Sequence, residues 1–257
     1  MYHFSWFELL GGPFHAVVDF LEHTAGMDPE GAHAGAIAIF NSWAVALFLV
    51  VLAIFARRGL AAARATGGTL QYVPADNLGA RNLLEIFTES IFNLAHGMLP
   101  TKDAKRHFWL IGGLFIYILF GNLLGVIPGG LPFTDNLNNN LAMALTVFVV
   151  FNIAGLARNG FGYIKHMMGP VWWLGWLILP IELIGIAVRP LSLSLRLMGN
   201  IYGDHMVFGV MSDMVPVIVP SLFLGLGIFV SFLQAFVFTL LTIIYISLSL
   251  GDEDGHH

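Results

Sequence analysis

The chain has 257 residues, of which 57% are hydrophobic and 11% are charged. Soluble domains carry about 25% charged residues, so this chain cannot cover a globular surface with polar side chains, and its mean hydropathy of +0.80 agrees. The composition predicts an integral membrane protein and excludes soluble enzymes, nucleic-acid-binding proteins and disordered proteins. The absence of cysteine excludes disulfides, thiolate metal sites, iron–sulfur clusters and thiol catalysis. No cofactor or metal site is expected.

The apolar runs predict the first membrane spans. Residues 1–34 precede the first long run and are expected to form an extracytoplasmic segment. No signal peptide is expected, since the first 30 residues contain no Lys or Arg. About 20 apolar residues cross a hydrocarbon core of about 30 Å. Three runs meet this length, namely residues 35–56, 108–127 and 138–157.

A different segment lies between the first two spans. In residues 76–99 the apolar Leu83, Phe87 and Ile91 recur at every fourth position, and charged residues lie on other faces. This pattern predicts an amphipathic helix on the cytoplasmic membrane surface. A simple linker is the alternative.

Two longer stretches, residues 171–211 and 215–250, follow the third span. Each would be about 54–60 Å long as one helix, so each is either two ordinary spans or one strongly tilted helix. A break near Pro190 would place Arg189 and Arg196 in an outer loop, against the distribution of the other basic residues. We therefore expect two long tilted helices that form a hairpin.

The basic residues predict the orientation. Most of the eleven Lys and Arg residues fall on one side of the predicted spans, and two lie within the membrane. Cytoplasmic loops carry the excess of Lys and Arg, so the amino terminus is expected outside, with residues 251–257 as a cytoplasmic tail. The predicted fold class is all-α. It is a multi-pass membrane protein with about five membrane-embedded helices, one interfacial helix and a C-terminal hairpin.

Polar residues inside the first long stretch need an explanation, because an arginine within a span costs about 2.5–3.5 kcal/mol on insertion scales. At about 100° per residue, four of them fall on one stripe about 27 Å long. The stripe consists of Glu182, Arg189, Arg196 and Asn200. Glu182 and Arg189 either form an internal ion pair or belong to a functional site, and both interpretations stay open.

No carboxylate lies three or four residues from Arg196. Its partner is therefore expected on another helix or another chain. A guanidinium group has a pKa above about 12 and stays charged in proteins. A fixed positive charge can attract a mobile carboxylate, force the release of its proton and block the passage of protons. These properties predict an electrostatic gate.

Other polar residues near this stripe can exchange or position protons. His205 has an ordinary pKa near 6.5 and changes charge near neutrality, and Asp204 does so where burial favours its protonated form. Gln234 is the one strongly polar side chain in the last apolar run, and Tyr245 shares its face. A single membrane glutamine also serves to join helices by hydrogen bonds, so that alternative stays open.

Two runs of this chain resemble subunit a of the F-type ATP synthase. They are PIELIGIAVRPLSLSLRLMGNIYGDH, which begins at Pro180, and FLQAFVFTLLTIIYISLSL, which begins at Phe232. The resemblance extends over nearly the whole chain, including a span that ends in GNLLGVIPG and the loop TDNLNNNLAMAL. The pattern RPLSLSLRLxGN with a later LQAF is highly specific.

The resemblance implies a location in a bacterial plasma (inner) membrane and a mechanism. Two tilted helices would lie against a rotating oligomeric ring of c subunits, each with a membrane carboxylate. Protons would enter by an outer half-channel, neutralise a ring carboxylate and leave by an inner half-channel, and the chain would not be catalytic by itself. The other implied partners are the peripheral-stalk b subunits, the rest of the synthase and membrane lipid, with no nucleic acid.

The resemblance also assigns roles to individual residues. Arg196 matches the essential arginine that separates the half-channels, and Gln234 matches the glutamine that faces it. Asn122 matches an asparagine of the earlier span that is linked to the outer channel. Channel-lining or proton-relay positions are Glu182, Asn200, Asp204 and His205, and secondary candidates are Arg189, Ser192, Tyr245 and Asp135.

Two positions depart from the family pattern. Gly227 lies seven residues before Gln234, where the family often has a titratable residue, and Gly125 lies three after Asn122, where it often has an acid. The exact outer route therefore stays open, with Asp204 as a replacement carboxylate. Protons are the expected coupling ion, and sodium stays an alternative because selectivity resides mainly in the ring.

Two functions of other classes are alternatives. A stand-alone ion channel or secondary transporter would equally use intramembrane charge. A haem-bearing respiratory subunit would need facing intramembrane histidines, and only His205 lies deep in a predicted span.

Overall fold

The computed structural model describes residues 11–24, 26–65, 80–127, 131–160, 184–185, 188, 191–192, 194–199, 203, 207 and 218–250. All regular structure in these residues is helical, which confirms the predicted all-α class. Six long helices are described: α1 (Gly12–His23), α2 (Pro29–Ala65), α3 (Ala80–His96), α4 (Thr101–Leu123), α5 (Leu137–Asn159) and α6 (Ile218–Leu250). Two short 3-10 turns, Leu124–Val126 and Phe133–Asp135, lie between α4 and α5.

The helix α1 lies in a segment for which the sequence predicts no element. Its Phe14 and Leu21 are buried in a small apolar cluster with Ala36 and Ile37 of α2. The chain reverses between the two helices at Gly26, which has a φ of 66°, a conformation that glycine adopts without steric cost. The helices α1 and α2 therefore form a hairpin near the start of the chain.

The helix α2 contains the predicted span 35–56 and extends beyond it at both ends. Its 37 residues correspond to about 55 Å at 1.5 Å per residue, which is longer than a bilayer core. Pro29 begins the helix and Glu30 lies in its first turn, and both residue types suit a helix start. Exposed apolar side chains such as Trp43 and Phe55 cover its surface, as expected of a helix in lipid.

The helix α3 is strongly amphipathic and lies within the predicted range 76–99. Ile91, Ala95 and the following Leu99 are buried in the main core, where α3 packs on α2 and α4. Polar Glu89 and Ser90 face outward and are exposed. The apolar periodicity thus buries one face of this helix, and its position at the membrane surface stays a prediction.

The main core is formed by α4, α5 and α6. Ile118 of α4, Val147 and Phe151 of α5, and Phe238 and Ile246 of α6 are almost fully buried in it. Four helices of the described part of the chain are long and apolar enough to cross a membrane. They contain Pro29–Arg58, Thr101–Val126, Leu137–Asn159 and Leu224–Leu250.

The two long C-terminal stretches are described unequally. The second, predicted over 215–250, contains one continuous helix of 33 residues, α6. Its carboxyl-terminal half packs against α4 and α5, whereas Leu222, Leu226 and Phe229 in its first half are exposed. Of the first stretch, 171–211, only short pieces are described, so its form as one helix or two lies outside the described residues.

Candidate functional site

The helical residues 194–199, here called the Arg196 segment, direct the Arg196 side chain outward. Ser194 and Leu197 are fully buried, and Leu197 belongs to the main core. Residues three apart share a helix face, so these two anchor one side of the segment. Arg196 lies on another face and is exposed.

Arg196 and Gln234 line the same groove, which has a volume of about 610 Å³. On one wall lie Arg196, Gly199 and Gly203, at helical spacings of three and four. The opposite wall belongs to α6 and consists of Val230, Leu233, Gln234 and Val237. The two glycines have no atom within 4 Å of a hypothetical Cβ, so the groove is open beside the guanidinium. The structure thus brings together the two residues that the sequence predicts as gate and partner.

The electrostatics of this groove are dominated by one charge. Within the described residues, no carboxylate forms an ion pair with Arg196. Its neighbours Leu195 and Leu233 are apolar and partly exposed, and Gln234 as a whole residue is 4% exposed. The groove therefore presents a positive charge outward from an apolar surface, an arrangement suited to a carboxylate on another chain.

Asn122 belongs to a second polar cluster, near the end of α4. Its Oδ1 accepts a hydrogen bond of 2.6 Å from the Thr134 hydroxyl. The backbone carbonyl of Thr134 accepts another, also of 2.6 Å, from Asn140 Nδ2. All three residues are 5% exposed or less. These residues, here called the Asn122 cluster, join α4, the 3-10 turn and α5 inside the protein.

Two glycines of α4 and its following turn allow this loop to pack closely. A Cβ on Gly121 would lie only 2.3 Å from the Phe133 ring, so no other residue fits there without a shift. A Cβ on Gly125 would lie 3.0 Å from Pro132. Pro132 thus crowds the position next to Gly125 where the family often has an acidic side chain.

A cavity of about 490 Å³ lies beside the same loop, between it and the start of α2. Its charged or titratable lining residues are Asp28, Glu30, His33 and Asp135. Asn41 also lines it and donates a hydrogen bond of 2.6 Å to the Leu131 carbonyl. We call this space the acidic cavity.

Further polar side chains join α2 and α5 near the acidic cavity. Asn139 Nδ2 donates to Ser42 Oγ over 3.0 Å. The sequence predicts none of Asn41, Ser42, Asn139, Asn140 or Thr134 as site residues. The run NLNNN at the start of a span was a signal, because buried amides in a membrane helix need partners.

The other predicted site residues are distributed unevenly. Ser192 is exposed one turn before Arg196. Tyr245 packs its ring 6.0 Å from that of Phe151 in the core, away from the groove, and Asp135 lines the acidic cavity. Five predicted site residues lie outside the described residues: Glu182, Arg189, Asn200, Asp204 and His205.

Within the described part of the chain, no three His, Asp or Glu residues are grouped closely enough to hold a metal ion. The groups that make up the candidate site are the fixed positive charge of Arg196 and the side-chain amides and hydroxyls.

Comparison with known proteins gives one consistent family. The ATP synthase A chain family matches residues 39–247. ATP synthase subunit a 1 of Syntrophotalea carbinolica is 41% identical over 247 residues, which cover 95% of this chain and 99% of the relative. ATP synthase subunit a of Geobacter sulfurreducens is 40% identical over 88% of this chain and 91% of the relative, and that of Bdellovibrio bacteriovorus is 35% identical over 97% and 99%. The chain therefore belongs to the ATP synthase subunit a family, the proton-translocating membrane subunit of that enzyme.

Proposed function

We propose that this chain forms two aqueous half-channels against a rotating ring of c subunits, with Arg196 as the electrostatic gate between them. Protons load a ring carboxylate from the outer half-channel and leave it through the inner one. The chain performs no covalent chemistry itself. It acts as a stator, held by the peripheral-stalk b subunits, past which the ring carboxylates move.

The exposed guanidinium in an open groove is the observation that carries this proposal. A structural arginine in a membrane helix would pair with a carboxylate of its own chain, and no described residue of this chain provides one. The groove opens toward the outside of the subunit and contains Gln234 on its far wall. This geometry leaves the charge available to a carboxylate that belongs to a neighbour.

The strength of the attraction between Arg196 and a ring carboxylate explains how this arginine can act as a gate. Two opposite charges about 4 Å apart attract by about 4 kcal/mol at an effective dielectric constant of 20. A ring carboxylate that reaches Arg196 is therefore stabilised in its ionised form and releases its proton. Since the guanidinium does not itself lose a proton, it cannot pass protons from one half-channel to the other.

The surface around the groove supports a ring as the partner. Exposed apolar side chains follow the helical spacing on the Arg196 side, at Ile184, Val188, Leu191 and Leu195. A second exposed row lies on α6, at Leu222, Leu226, Phe229 and Leu233. A charge flanked by two apolar rows fits a partner that is itself embedded in lipid and carries one carboxylate per subunit.

We also propose that the amino terminus lies outside and the carboxyl terminus in the cytoplasm. Arg158, at the end of α5, forms an ion pair with Asp103, at the start of α4. Lys102, Lys105 and Arg158 are therefore at one end of the bundle, as the positive-inside rule requires of a cytoplasmic face. A protease site added after residue 257 should be cleaved in inverted membrane vesicles and protected in intact cells.

The first experiment replaces Arg196 by Ala in the assembled synthase. We expect ATP-driven proton pumping to be lost while the subunit remains in the complex. Leu195→Ala is the matched control, because Leu195 is an exposed neighbour on the same segment, and it should leave pumping largely unchanged. Coupled pumping by an assembled Arg196→Ala complex would contradict the gate.

The second experiment tests the ring as the partner. The chain contains no cysteine, so a benzophenone can be attached to one introduced at Leu195 or Phe229, both exposed beside the groove. Illumination should link the ring subunit from both positions. Trp43→Cys, exposed on α2, should not capture it. Equal capture from all three positions would contradict the proposed face.

A further inference from the structure

The first turns of α4 carry three cations and a tryptophan on one side of the helix. Lys102, Lys105, Arg106 and Trp109 are all exposed. At 3.6 residues per turn they fall within about 100° of the helix circumference. The opposite side of these turns, at Ala104, is fully buried. We call these four exposed residues the basic face of α4.

No carboxylate of the described residues neutralises the basic face. The nearest acid in the sequence is Asp103, which lies about 100° round the helix from Lys102 and is paired with Arg158. Among the described residues, none of the three cations of the basic face forms an ion pair or a side-chain hydrogen bond. Lys102 and Arg106 are four residues apart, so three positive charges are concentrated within about 6 Å of helix length.

The position of the basic face along α4 corresponds to the level of lipid headgroups. The membrane-span candidate that contains α4 covers Thr101–Val126, about 39 Å at 1.5 Å per residue, whereas the hydrocarbon core of a bilayer is about 30 Å thick. The apolar run begins only at Phe108, so the cations lie just outside the hydrocarbon and Trp109 lies at its edge. Tryptophan is enriched at this boundary, and Trp109 is 66% exposed.

The same side of α4 has open space next to Trp109. Gly113 lies about one turn further along the helix, is exposed, and has no atom within 4 Å of a hypothetical Cβ. A large ring followed by a residue without a side chain leaves a shallow depression in which a hydrocarbon chain can lie against the helix. Positions for a negatively charged headgroup and for an acyl chain are therefore adjacent.

We propose that the basic face of α4, together with Gly113, binds an anionic phospholipid. The three cations bind the phosphate of the headgroup, Trp109 packs beside the glycerol region, and an acyl chain lies over Gly113. Charge complementarity identifies this occupant, because clusters of Lys and Arg next to a membrane span attract anionic headgroups. A phosphate ion without acyl chains would leave Trp109 and Gly113 uncovered.

The direct test uses photoactivatable lipids and the wild-type synthase in phosphatidylcholine nanodiscs. The probe is phosphatidylglycerol with a diazirine on its acyl chain, and the reference is phosphatidylcholine with the same diazirine. The anionic probe should label the peptide that contains Trp109 and Gly113 at least about tenfold more strongly, since each Lys or Arg near the membrane surface favours an anionic lipid by about fivefold. Added salt should lower this labelling, because solvent-exposed charges are screened. Equal labelling by the two lipids would overturn the proposal.

Removal of the charges tests the location of the site. The triple variant Lys102→Gln, Lys105→Gln, Arg106→Gln should lose about tenfold or more of the phosphatidylglycerol labelling. The matched control combines Arg57→Gln with Arg58→Gln, which removes two exposed cations from α2. This control should leave the labelling within about twofold of wild type, because the lost charges do not belong to the basic face. An equal loss in both variants would show that the lipid is attracted by the surface as a whole, and would overturn the proposal.

Two further variants leave the three cations in place. Gly113→Leu fills the space of the acyl chain without contacting another part of the protein and should lower the labelling, and unchanged labelling would overturn the proposal. A benzophenone attached at Trp109→Cys should capture lipid, whereas capture of another synthase subunit would place a protein on this face and overturn it. The proposal is independent of the gate, so Arg196→Ala should leave the labelling unchanged.

Discussion

The ring of Phe133 packs directly on the backbone of Gly121. A Cβ at Gly121 would lie 2.3 Å from that ring, and Phe133 is fully buried. Because Thr134 follows Phe133 in the same 3-10 turn, this contact holds its hydroxyl against Asn122. The position of the Asn122 cluster thus depends on the absence of one side chain from α4.

The first prediction concerns this contact. Gly121→Ala should displace Phe133 and destabilise the subunit by about 1–3 kcal/mol, the usual cost of overpacking a filled core. The amount of subunit retained in the synthase after heating of membranes at a series of temperatures measures the effect. Gly113→Ala is the control, since Gly113 lies on the same helix with no atom within 4 Å of a Cβ. Equal retention of the two variants would contradict this explanation.

The second prediction concerns the ion pair between Asp103 and Arg158. The two side chains are 15% and 24% exposed and 2.5 Å apart, so the pair lies between surface pairs, which contribute little, and buried pairs. Asp103→Asn should lower the free energy of unfolding by about 1–2 kcal/mol. The substitution should loosen the contact between the end of α5 and the start of α4. Thermal unfolding of the purified synthase in detergent measures the loss of stability.

A double-mutant cycle identifies the pair as the cause. Arg158→Gln alone should cost about as much as Asp103→Asn, and the double variant should cost little more than either single one. Additive costs would show that the two residues contribute independently. Lys105→Gln, at an exposed position nearby, should have little effect.

Much of the fold is predictable from the sequence because the membrane imposes simple requirements. Apolar runs of about 20 residues predict spans, and the three predicted spans, residues 35–56, 108–127 and 138–157, lie within or overlap helices of the structure. The periodic apolar positions of α3 predict its buried face, as at Ile91. The helix α1 is not predicted, since it is short and acidic and depends on Phe14 packing against α2.

The site is predictable in part for the same reason. Arg196 and Gln234 stand out because charge and amides are costly in an apolar run, and the structure brings them to one groove. In the Asn122 cluster, Asn122 is predicted from the family resemblance, but Thr134 and Asn140 are not. The cluster's neighbouring contacts join residues about a hundred positions apart, such as Ser42 with Asn139, and only the packing of α2 on α4 and α5 brings such residues together.

The third prediction compares the two glycines that depart from the family pattern. No atom lies within 4 Å of a Cβ at Gly227, whereas a Cβ at Gly125 would contact Pro132 at 3.0 Å. Gly227→Glu should therefore leave assembly and pumping largely intact. Gly125→Asp should reduce the amount of assembled subunit, since its side chain would crowd Pro132. Immunoblots of purified synthase measure both, and the opposite order would contradict the packing argument.

The last prediction tests the wall of the groove opposite Arg196. Gln234→Leu removes an amide from the groove wall opposite Arg196, where it would hydrogen-bond the carboxylate that Arg196 attracts, and a hydrogen bond to a charged group contributes about 1.5–3 kcal/mol. If losing this hydrogen bond raises the barrier of the slowest step in proton transfer by that energy, coupled pumping should fall by about tenfold or more. Gln234→Glu should be more damaging, because a fixed carboxylate in the groove would pair with Arg196 and compete with the mobile carboxylate. Initial rates of ATP-driven pumping in vesicles with equal subunit content measure both variants.

The matched control for Gln234 is Val237→Ala, which changes an apolar residue of the same wall and should leave pumping within about twofold of wild type, a change of less than 1 kcal/mol. A salt series adds a second readout. Because Gln234 is 4% exposed, an ion pair between a glutamate at this position and Arg196 should be screened only weakly by dissolved ions, so the defect of Gln234→Glu should persist at high ionic strength. If the Gln234→Glu variant pumps at least as fast as Gln234→Leu, the prediction is contradicted. The positive charge of Arg196 would then not need to stay available to a ring carboxylate.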